Sequence, residues 1–200
     1  LQFGDVEMTY ADAGRDKVQT AGEAGTTSQF TYRKDGAVAV RAGGDARGDL
    51  TVGYDVFNAA ALRVVRGDED QGLVQQMRYD AAGLRVLRRV LGGETVYARS
   101  LQGDALVEVD SAGARRFFIY GPSGPALMCA NGEWTYLSRD SVGSVRGVLN
   151  AHSELLAGYD YLPFGAALRV FGPQAAASPY RFVARELDPV ALYDLRARFY

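Results

Sequence analysis

The sequence predicts an all-β fold in which one antiparallel array of β-hairpins runs along most of the chain. Three observations indicate this fold. A tyrosine followed by aspartate and then glycine recurs, glycine and tyrosine are abundant at 24 and 12 of 200 residues, and strand-favouring runs separate the turn-like segments. Around residues 188–198 we expect at most a turn or two of helix, since Pro189 lies near the start of that stretch.

The best copy of the recurring unit starts at Tyr79. Asp80 stands where a type I turn begins, so its carboxylate is expected to accept from backbone N–H groups. Gly83 follows three residues later, where the turn needs a positive φ. Each copy is therefore predicted to be the tip of a β-hairpin, and Asp55 and Asp160 are expected to cap turns in the same way.

The tyrosines recur with an imperfect period of roughly twenty residues, which is the pattern of repeat architectures. Pairing of each hairpin with the next would cover the exposed strand edges. Because the tyrosines hold one position in the unit, we expect their rings to stack across neighbouring strands. The anchors of the successive copies are Tyr32, Tyr54, Tyr79, Tyr97, Tyr120, Tyr136 and Tyr159.

Three blocks in a fixed order resemble the core of the Rhs proteins, also called the YD-repeat family. They run from Tyr136 to Arg146, from Tyr159 to Gly165, and from Pro179 to Tyr200. The resemblance implies a hollow β-shell, or cocoon, in which the last block closes the array as a plug. The residues that carry it are Tyr79, Asp80 and Gly83 of the repeat, with Tyr136, Asp140, Gly143, Arg146, Tyr159, Pro163, Phe164, Gly165, Arg181, Phe182, Arg185, Glu186, Asp188, Leu192, Tyr193, Arg196, Arg198 and Tyr200.

The resemblance also implies how the chain is organised. We expect a repeat array over residues 1–158 and a closing block over residues 159–200 that continues the array rather than forming an independent domain. Ala184 and Ala191 stand where the family usually has glycine, so we expect an ordinary φ at both. Both ends of the sequence look internal to a longer polypeptide. The expected partners are the upstream repeats and a downstream toxin domain of that polypeptide, which would be exported with a signal outside this segment.

Composition argues against several other classes of protein. The chain has 22 Lys and Arg residues against 24 Asp and Glu. It therefore lacks the excess of basic residues that a dedicated nucleic-acid or anionic-membrane binder needs. We find no apolar run of about 18 residues that would cross a membrane. Cys129 is the only cysteine, and because it lies in an apolar run we expect it to be a small buried hydrophobic residue. His152 is the only histidine, and we expect it to be a solvated residue of a hairpin turn. We therefore assign no catalytic residue, no metal ligand and no cofactor.

The acids of the closing block allow two interpretations. Glu186, Asp188 and Asp194 are either an acid pair for proteolysis or ion-pair partners of the nearby arginines. We favour ion pairs with Arg181, Arg185, Arg196 and Arg198, because alternating charges are typical of cross-strand pairing. The resemblance supports this choice, since the self-cleavage aspartates of Rhs proteins lie in an Asp-Pro-x-Gly-like stretch beyond the equivalent of Tyr200. A second basic group, Arg85, Arg88 and Arg89, is interpreted as a solvated strand face.

These observations lead to one functional hypothesis and two alternatives. The chain is predicted to be a structural shell segment, not an enzyme, that helps to enclose the C-terminal toxin of a polymorphic toxin used in bacterial competition. The first alternative is a β-repeat module that binds carbohydrate or a cell surface through solvent-facing tyrosines. The second is a self-cleaving aspartyl protease, in which Asp188→Asn or Asp194→Asn would stop processing.

Overall fold

The computed structural model describes residues 2–3, 6–10, 17–22, 27–34, 37–43, 48–54, 61–67, 72–122 and 124–194. Within them the predicted all-β fold is confirmed: every strand pairing is antiparallel, and the helical content is two short 3₁₀ turns. The chain divides into two compact units, Leu1–Met77 and Arg78–Tyr200. The predicted boundary between residues 158 and 159 stays a prediction.

In the first unit, consecutive strands pair in chain order, as expected for a row of hairpins. Its described core contains Leu50, Val52, Val64 and Val65. Leu50 and Val52 alternate with more exposed residues along β6, so one face of that strand is buried. Val64 and Val65 are consecutive in β7 and are both buried. The strands are β1 (Gln2–Phe3), β2 (Val6–Tyr10), β3 (Val18–Gly22), β4 (Ser28–Tyr32), β5 (Val38–Ala42), β6 (Leu50–Tyr54), β7 (Ala61–Arg66) and β8 (Leu73–Tyr79), and the division between the units falls within β8.

The second unit continues the same hairpin pattern and buries one face of its sheet under the last described residues. Its core includes Phe118, Met128, Leu137, Val148 and Tyr180. The 3₁₀ turns are Pro163–Gly165 and Phe182–Ala184. The strands are β9 (Arg85–Val90), β10 (Gly93–Arg99), β11 (Ala105–Asp110), β12 (Arg115–Gly121), β13 (Gly124–Ala130), β14 (Glu133–Arg139), β15 (Val145–Leu149), β16 (Leu155–Tyr161) and β17 (Ala167–Phe171).

A β-bulge marks the same place in successive hairpins and gives the true phase of the repeat. The residue at this bulge is tyrosine or arginine, and its spacing is more regular than that of the predicted anchors. Tyr97, Tyr136 and Tyr159 are therefore out of phase, since they lie two or three residues before a bulge. The bulge residues are Tyr10, Tyr32, Tyr54, Arg99, Tyr120, Arg139 and Tyr161.

Most of the bulge tyrosines join neighbouring hairpins through their hydroxyl groups. The Tyr10 hydroxyl donates to Met8 Sδ. Each of the other four hydroxyls donates to the carbonyl of a residue that begins a strand of the preceding hairpin. The acceptor is itself the partner of the preceding bulge residue, so the links follow one another along the array. The stacking that we expected of the repeat tyrosines stays a prediction. The hydroxyl-to-oxygen distances are 2.6 Å (Tyr32 to Val18), 2.8 Å (Tyr54 to Val38), 3.0 Å (Tyr120 to Ala105) and 2.7 Å (Tyr161 to Val145).

Candidate functional site

The hairpin tips have the geometry that the Tyr-Asp-x-x-Gly pattern predicts. In the best copy, Asp80 Oδ1 accepts from the backbone N–H groups of Ala82 and Leu84, both at 2.9 Å. Gly83 has φ +76° and donates its N–H to the carbonyl of Asp80. The carboxylate thus holds the two backbone donors that the turn would otherwise leave unpaired.

Other tips use the same arrangement with different residues. Asp140 caps the turn that contains Gly143, whose φ is +90°. Asn150 takes the place of aspartate at the tip that contains His152, an exposed turn residue as expected, and accepts its N–H at 2.9 Å. Ser153 supplies the positive φ there instead of glycine.

Asp160 does not cap a turn, which corrects the sequence-based expectation. It lies within β16, and its carboxylate pairs with Arg169 across the hairpin at 2.9 Å and with Arg146 at 3.7 Å. Arg146 also pairs with Asp140 at 2.9 Å. Because Tyr159 is not the bulge residue of this hairpin, the position after it belongs to the strand and not to the turn. Asp55 lies outside the described residues.

Residues 178–194, here called the closing segment, fold back on the covered face of the second unit. The segment is held together by its own backbone hydrogen bonds, including Leu187 N–H to the carbonyl of Pro179 at 2.9 Å and Asp188 N–H to that of Leu192 at 2.8 Å. It is joined to β15 by the N–H of Val145, which donates to the carbonyl of Arg181 at 2.9 Å. A segment with little regular structure is thus tied directly to the sheet.

Aromatic rings anchor the first half of the closing segment. Tyr180 meets Phe118 edge to face with centroids 5.0 Å apart, and its hydroxyl lies 2.9 Å from that of Tyr120. Phe182 contacts Tyr161 and Tyr193 at 5.6 and 6.1 Å. Such pairs contribute roughly 0.5–1.5 kcal/mol each beyond the burial of their area.

The Pro163–Gly165 turn supports this aromatic group. Gly165 has φ +90°, and a Cβ there would lie 2.6 Å from the Phe182 ring, so only glycine fits. Its carbonyl accepts the Tyr193 hydroxyl at 3.0 Å. The two blocks that the sequence singled out separately therefore meet in space.

The second half of the closing segment is held by a buried ion network. Arg85 of β9 contacts three carboxylates, those of Asp188 at 2.6 Å, Glu186 at 2.7 Å and Asp194 at 3.2 Å. Arg88 contacts Glu186 at 2.6 Å and Asp188 at 3.1 Å. The side chains of Arg85, Glu186 and Asp188 are only 1%, 5% and 0% exposed. The residues concerned lie about 100 positions apart in sequence, so the network ties the end of the described chain to the first strand of the unit.

The prediction that these acids form ion pairs is right, but the partners that the structure shows are Arg85 and Arg88. The predicted pairing with Arg196 and Arg198 falls outside the described residues and stays a prediction. Arg85 and Arg88 are buried partners rather than a solvated face, and of that group only Arg89 is exposed, where it pairs with Glu94. Arg181 lies with its guanidinium 3.6 Å from the centre of the Tyr159 ring and donates to the carbonyl of Ala175.

The electrostatics follow from burial and charge together. Burial alone would raise the pKa of Glu186, but Arg85, Arg88 and the Tyr97 hydroxyl hold it below its ordinary value. Burial raises the pKa of Asp188, against the effect of Arg85. Burial also raises the pKa of Tyr97 well above its ordinary value, with a contribution from Glu186, so this hydroxyl remains a donor. It donates to Glu186 at 2.7 Å.

Glu108 extends the buried charge into β11 and was missed by sequence reasoning. Burial, followed by the nearby charge of Glu186, raises its pKa to about 7. Arg116 donates to Oε2 at 2.6 Å, while Oε1 is buried without a hydrogen-bond partner. Strand alternation places Glu108 opposite Tyr97 on the covered face, but only the folded closing segment brings Glu186 close.

The remaining predicted residues are placed as follows. Tyr136 is exposed on the opposite face of the sheet, and Cys129 is half-buried. Tyr79, Arg185 and Leu192 are half-buried, and the side chain of Phe164 lies outside the described part of the structure. Arg196, Arg198 and Tyr200 also lie outside the described residues.

Chemically, these contacts join the closing segment to the sheet. Arg85 binds the carboxylates of both Asp188 and Asp194. The two aspartates are therefore not arranged as an acid pair that shares one proton. Among the described residues no group of His, Cys, Asp or Glu is placed to hold a metal ion. In the same part of the chain no helix has the length and apolar character to span a bilayer.

Comparisons with known proteins agree with this fold. No family model matches the sequence. Salivary gland surface protein 1 of Aedes aegypti is 27% identical over an alignment of 166 residues, and the alignment covers 74% of this chain and 5% of that protein.

The crystal structure of TcdB2-TccC3-Cdc42 superposes on 98% of the chain with a TM-score of 0.65 and 14% identity. The Tc holotoxin pore of Photorhabdus luminescens also covers 98%, with a TM-score of 0.62 and 14% identity. The chain spans only 12% and 11% of those two chains. At this identity the comparison shows a shared fold.

Proposed function

We propose that this chain is a wall segment of an Rhs-type β-shell and that its closing segment ends the hairpin array as a plug. In the longer polypeptide, the shell would enclose a toxin domain encoded downstream and keep it from the producing cell until an exported toxin is delivered. The upstream repeats and the downstream domain would be the partners of this segment.

One observation carries the proposal: the closing segment folds back on the sheet and is fastened to β9 by the buried contacts of Arg85. A segment that closes the shell must stay bound to the sheet. Breaking a buried ion pair from one side costs about 3–5 kcal/mol, so a network of several contacts is a strong fastening.

The exposure of the repeat tyrosines favours a wall over a carbohydrate-binding surface. Tyr97 and Tyr159 are 4% and 1% exposed, and Tyr120 is half-buried with its hydroxyl bonded to the backbone. Of the predicted anchors that the structure describes, Tyr136 alone is exposed. Rings that serve the packing of the sheet are not available to a sugar.

The experiment is limited proteolysis of the natural polypeptide with its sequence on both sides of this segment. We expect the downstream domain to resist digestion in the wild type and to be cut in Arg85→Met, because the plug then loses its fastening. Arg89→Met is the matched control, since it removes an exposed arginine of the same strand. Rapid digestion of the downstream domain in the wild type would contradict enclosure, and equal resistance in the wild type and in Arg85→Met would contradict the role of Arg85.

The same material tests the self-cleavage alternative. If the shell segment were itself the protease, Asp188→Asn or Asp194→Asn would abolish a defined cut between shell and cargo, while Asp140→Asn at a hairpin tip would not. We expect both closing-segment variants to cut as the wild type does, once their folding has been checked by circular dichroism.

A further inference from the structure

The face of the second unit opposite the closing segment carries two rows of apolar side chains. In the first row the register pairs Ala98 with Val107, Val107 with Phe117, Phe117 with Cys129 and Cys129 with Trp134. Cross-strand partners on one face lie within contact distance, so each row is continuous over five strands.

The second row runs beside the first. The register pairs Ile119 with Leu127, Leu127 with Tyr136, Tyr136 with Leu149 and Leu149 with Leu155. Since Phe117 and Ile119 are two residues apart on β12, the two rows share a face. We call these ten residues the apolar platform.

The platform is unusually exposed for apolar side chains. Phe117 is 42% exposed, Ile119 49%, Trp134 41% and Tyr136 49%. None of its ten side chains carries a charge, and the Tyr136 hydroxyl is the single oxygen among them. Contiguous exposed apolar patches of this kind mark interaction sites more often than free surface.

We propose that the apolar platform is an interface between two copies of this chain, which stack their sheets face to face around a twofold axis. The inference does not depend on the proposed enclosure of a toxin. Two uncharged rows are their own complement: a twofold axis sets the same patch against itself without bringing charges of the platform together. Sheets packed in this way lie about 10 Å apart, with their side chains interdigitated.

The area of the platform suits a weak dimer. A buried aromatic side chain covers roughly 150–250 Å², so the exposed parts of the large platform residues amount to on the order of 500 Å². Standard interfaces bury about 600–1,000 Å² on each partner. With the half-exposed neighbours included, the platform reaches the lower end of that range. We therefore expect association at micromolar rather than nanomolar concentration.

The chemistry of the platform argues against a carbohydrate as the occupant. A sugar bound to a face with one hydroxyl group would leave most of its own hydroxyls without partners, which is costly. A second copy of the platform brings only two polar groups, the Tyr136 hydroxyl and the Trp134 indole N–H, so few hydrogen bonds to water are at stake. The platform therefore fits an apolar protein surface, and this chain itself presents one.

The chain contains its own probe for the test. Trp134 is its single tryptophan and lies in the first row. We expect sedimentation equilibrium of the 200-residue chain to show a monomer–dimer equilibrium at micromolar concentration. Over the same concentrations, Trp134 emission should shift to the blue as its ring leaves water.

A lysine in the platform would bury a charge without a partner, so Tyr136→Lys and, separately, Ile119→Lys should each weaken association more than about tenfold.

The controls separate loss of association from loss of folding. Leu168→Lys adds the same charge at a 64% exposed position of β17 outside the platform and should leave the dimer intact. Circular dichroism and thermal unfolding confirm that each variant is folded. The proposal is overturned if the wild type stays monomeric up to about 100 µM, well above the expected micromolar constant, or if the dimer survives both platform lysines. A blue shift caused by lipid vesicles in a monomeric chain would also overturn it in favour of a membrane surface.

Discussion

Three residues of the closing segment hold a left-handed backbone although none is glycine: Val183, Ala184 and Ala191, with φ of 44°, 53° and 56°. The alanines were expected to have an ordinary φ because they replace glycines of the resembled family, and that expectation is wrong. The turns themselves require positive φ, as the N–H of Ala191 donates to Asp188 and that of Arg185 to Phe182. A left-handed backbone at a residue with a Cβ costs about 1–2 kcal/mol.

Restoring glycine at Ala191 should stabilise the protein. The strain of a Cβ at positive φ exceeds the entropy that glycine loses on folding, so Ala191→Gly should raise the free energy of unfolding by about 0.5–1 kcal/mol. Urea denaturation measures the change. Ala112→Gly, in an exposed turn without positive φ, is the control and should be neutral or destabilising. A loss of stability in Ala191→Gly would show that the strain is absent.

Glu108 should make stability depend on pH. Its pKa of about 7 in the folded state lies above the ordinary value of 4.5, so the folded state binds more protons between these values. The contribution of Glu108 to the free energy of unfolding is therefore fully present below pH 4.5 and is lost as the pH rises to about 7. The loss amounts to about 2–3 kcal/mol. Glu108→Gln should remove that loss, which urea denaturation at pH 5 and pH 8 would reveal.

The control for this prediction is Glu94→Gln, which removes a more exposed carboxylate that pairs with Arg89. It should leave the difference between pH 5 and pH 8 as in the wild type. If Glu108→Gln and the wild type showed the same pH dependence, the raised pKa of Glu108 would be refuted.

At the scale of the hairpin, the bulge tyrosine is the element that joins one repeat to the next. Its hydroxyl reaches over a strand to a carbonyl that the bulge leaves available, as between Tyr161 and Val145. Arginine takes the same position at Arg99 and donates to the backbone of Arg85. The Tyr-Asp pattern of the sequence marks the turn that follows, which is why the tips were easier to predict than the links between them.

Removing one of these hydroxyls should cost about 0.5–1.5 kcal/mol, because the acceptor loses its partner. We expect Tyr161→Phe to lower the midpoint of thermal unfolding accordingly. Tyr136→Phe is the matched control, since that ring is exposed on the other face. Equal effects of the two substitutions would mean that the link contributes nothing to stability.

For the whole molecule, the sequence indicates the class of fold and the chemistry of the turns, and it does not indicate what the closing segment contacts. The alternation of apolar and polar residues and the choice of turn residues are local features of the sequence, so the roles of Asp80 and Gly83 could be predicted. The partnership of Arg85 with Glu186 and Asp188 depends on a segment about 100 residues away folding back, and no local pattern reports it. Glu108 was missed for the same reason, because its charged neighbours come from three different parts of the chain.

The central claim is that the closing segment is fastened to the sheet by Arg85, and hydrogen exchange with mass spectrometry tests it most directly. In the wild type, the backbone N–H groups of Leu187, Asp188 and Asp194 should exchange slowly, since each is bonded within the segment. In Arg85→Met, which forfeits about 3–5 kcal/mol of buried ion pairing, they should exchange much faster, while Arg89→Met should resemble the wild type. Rapid exchange of these groups in the wild type, or unchanged exchange in Arg85→Met, would contradict the account.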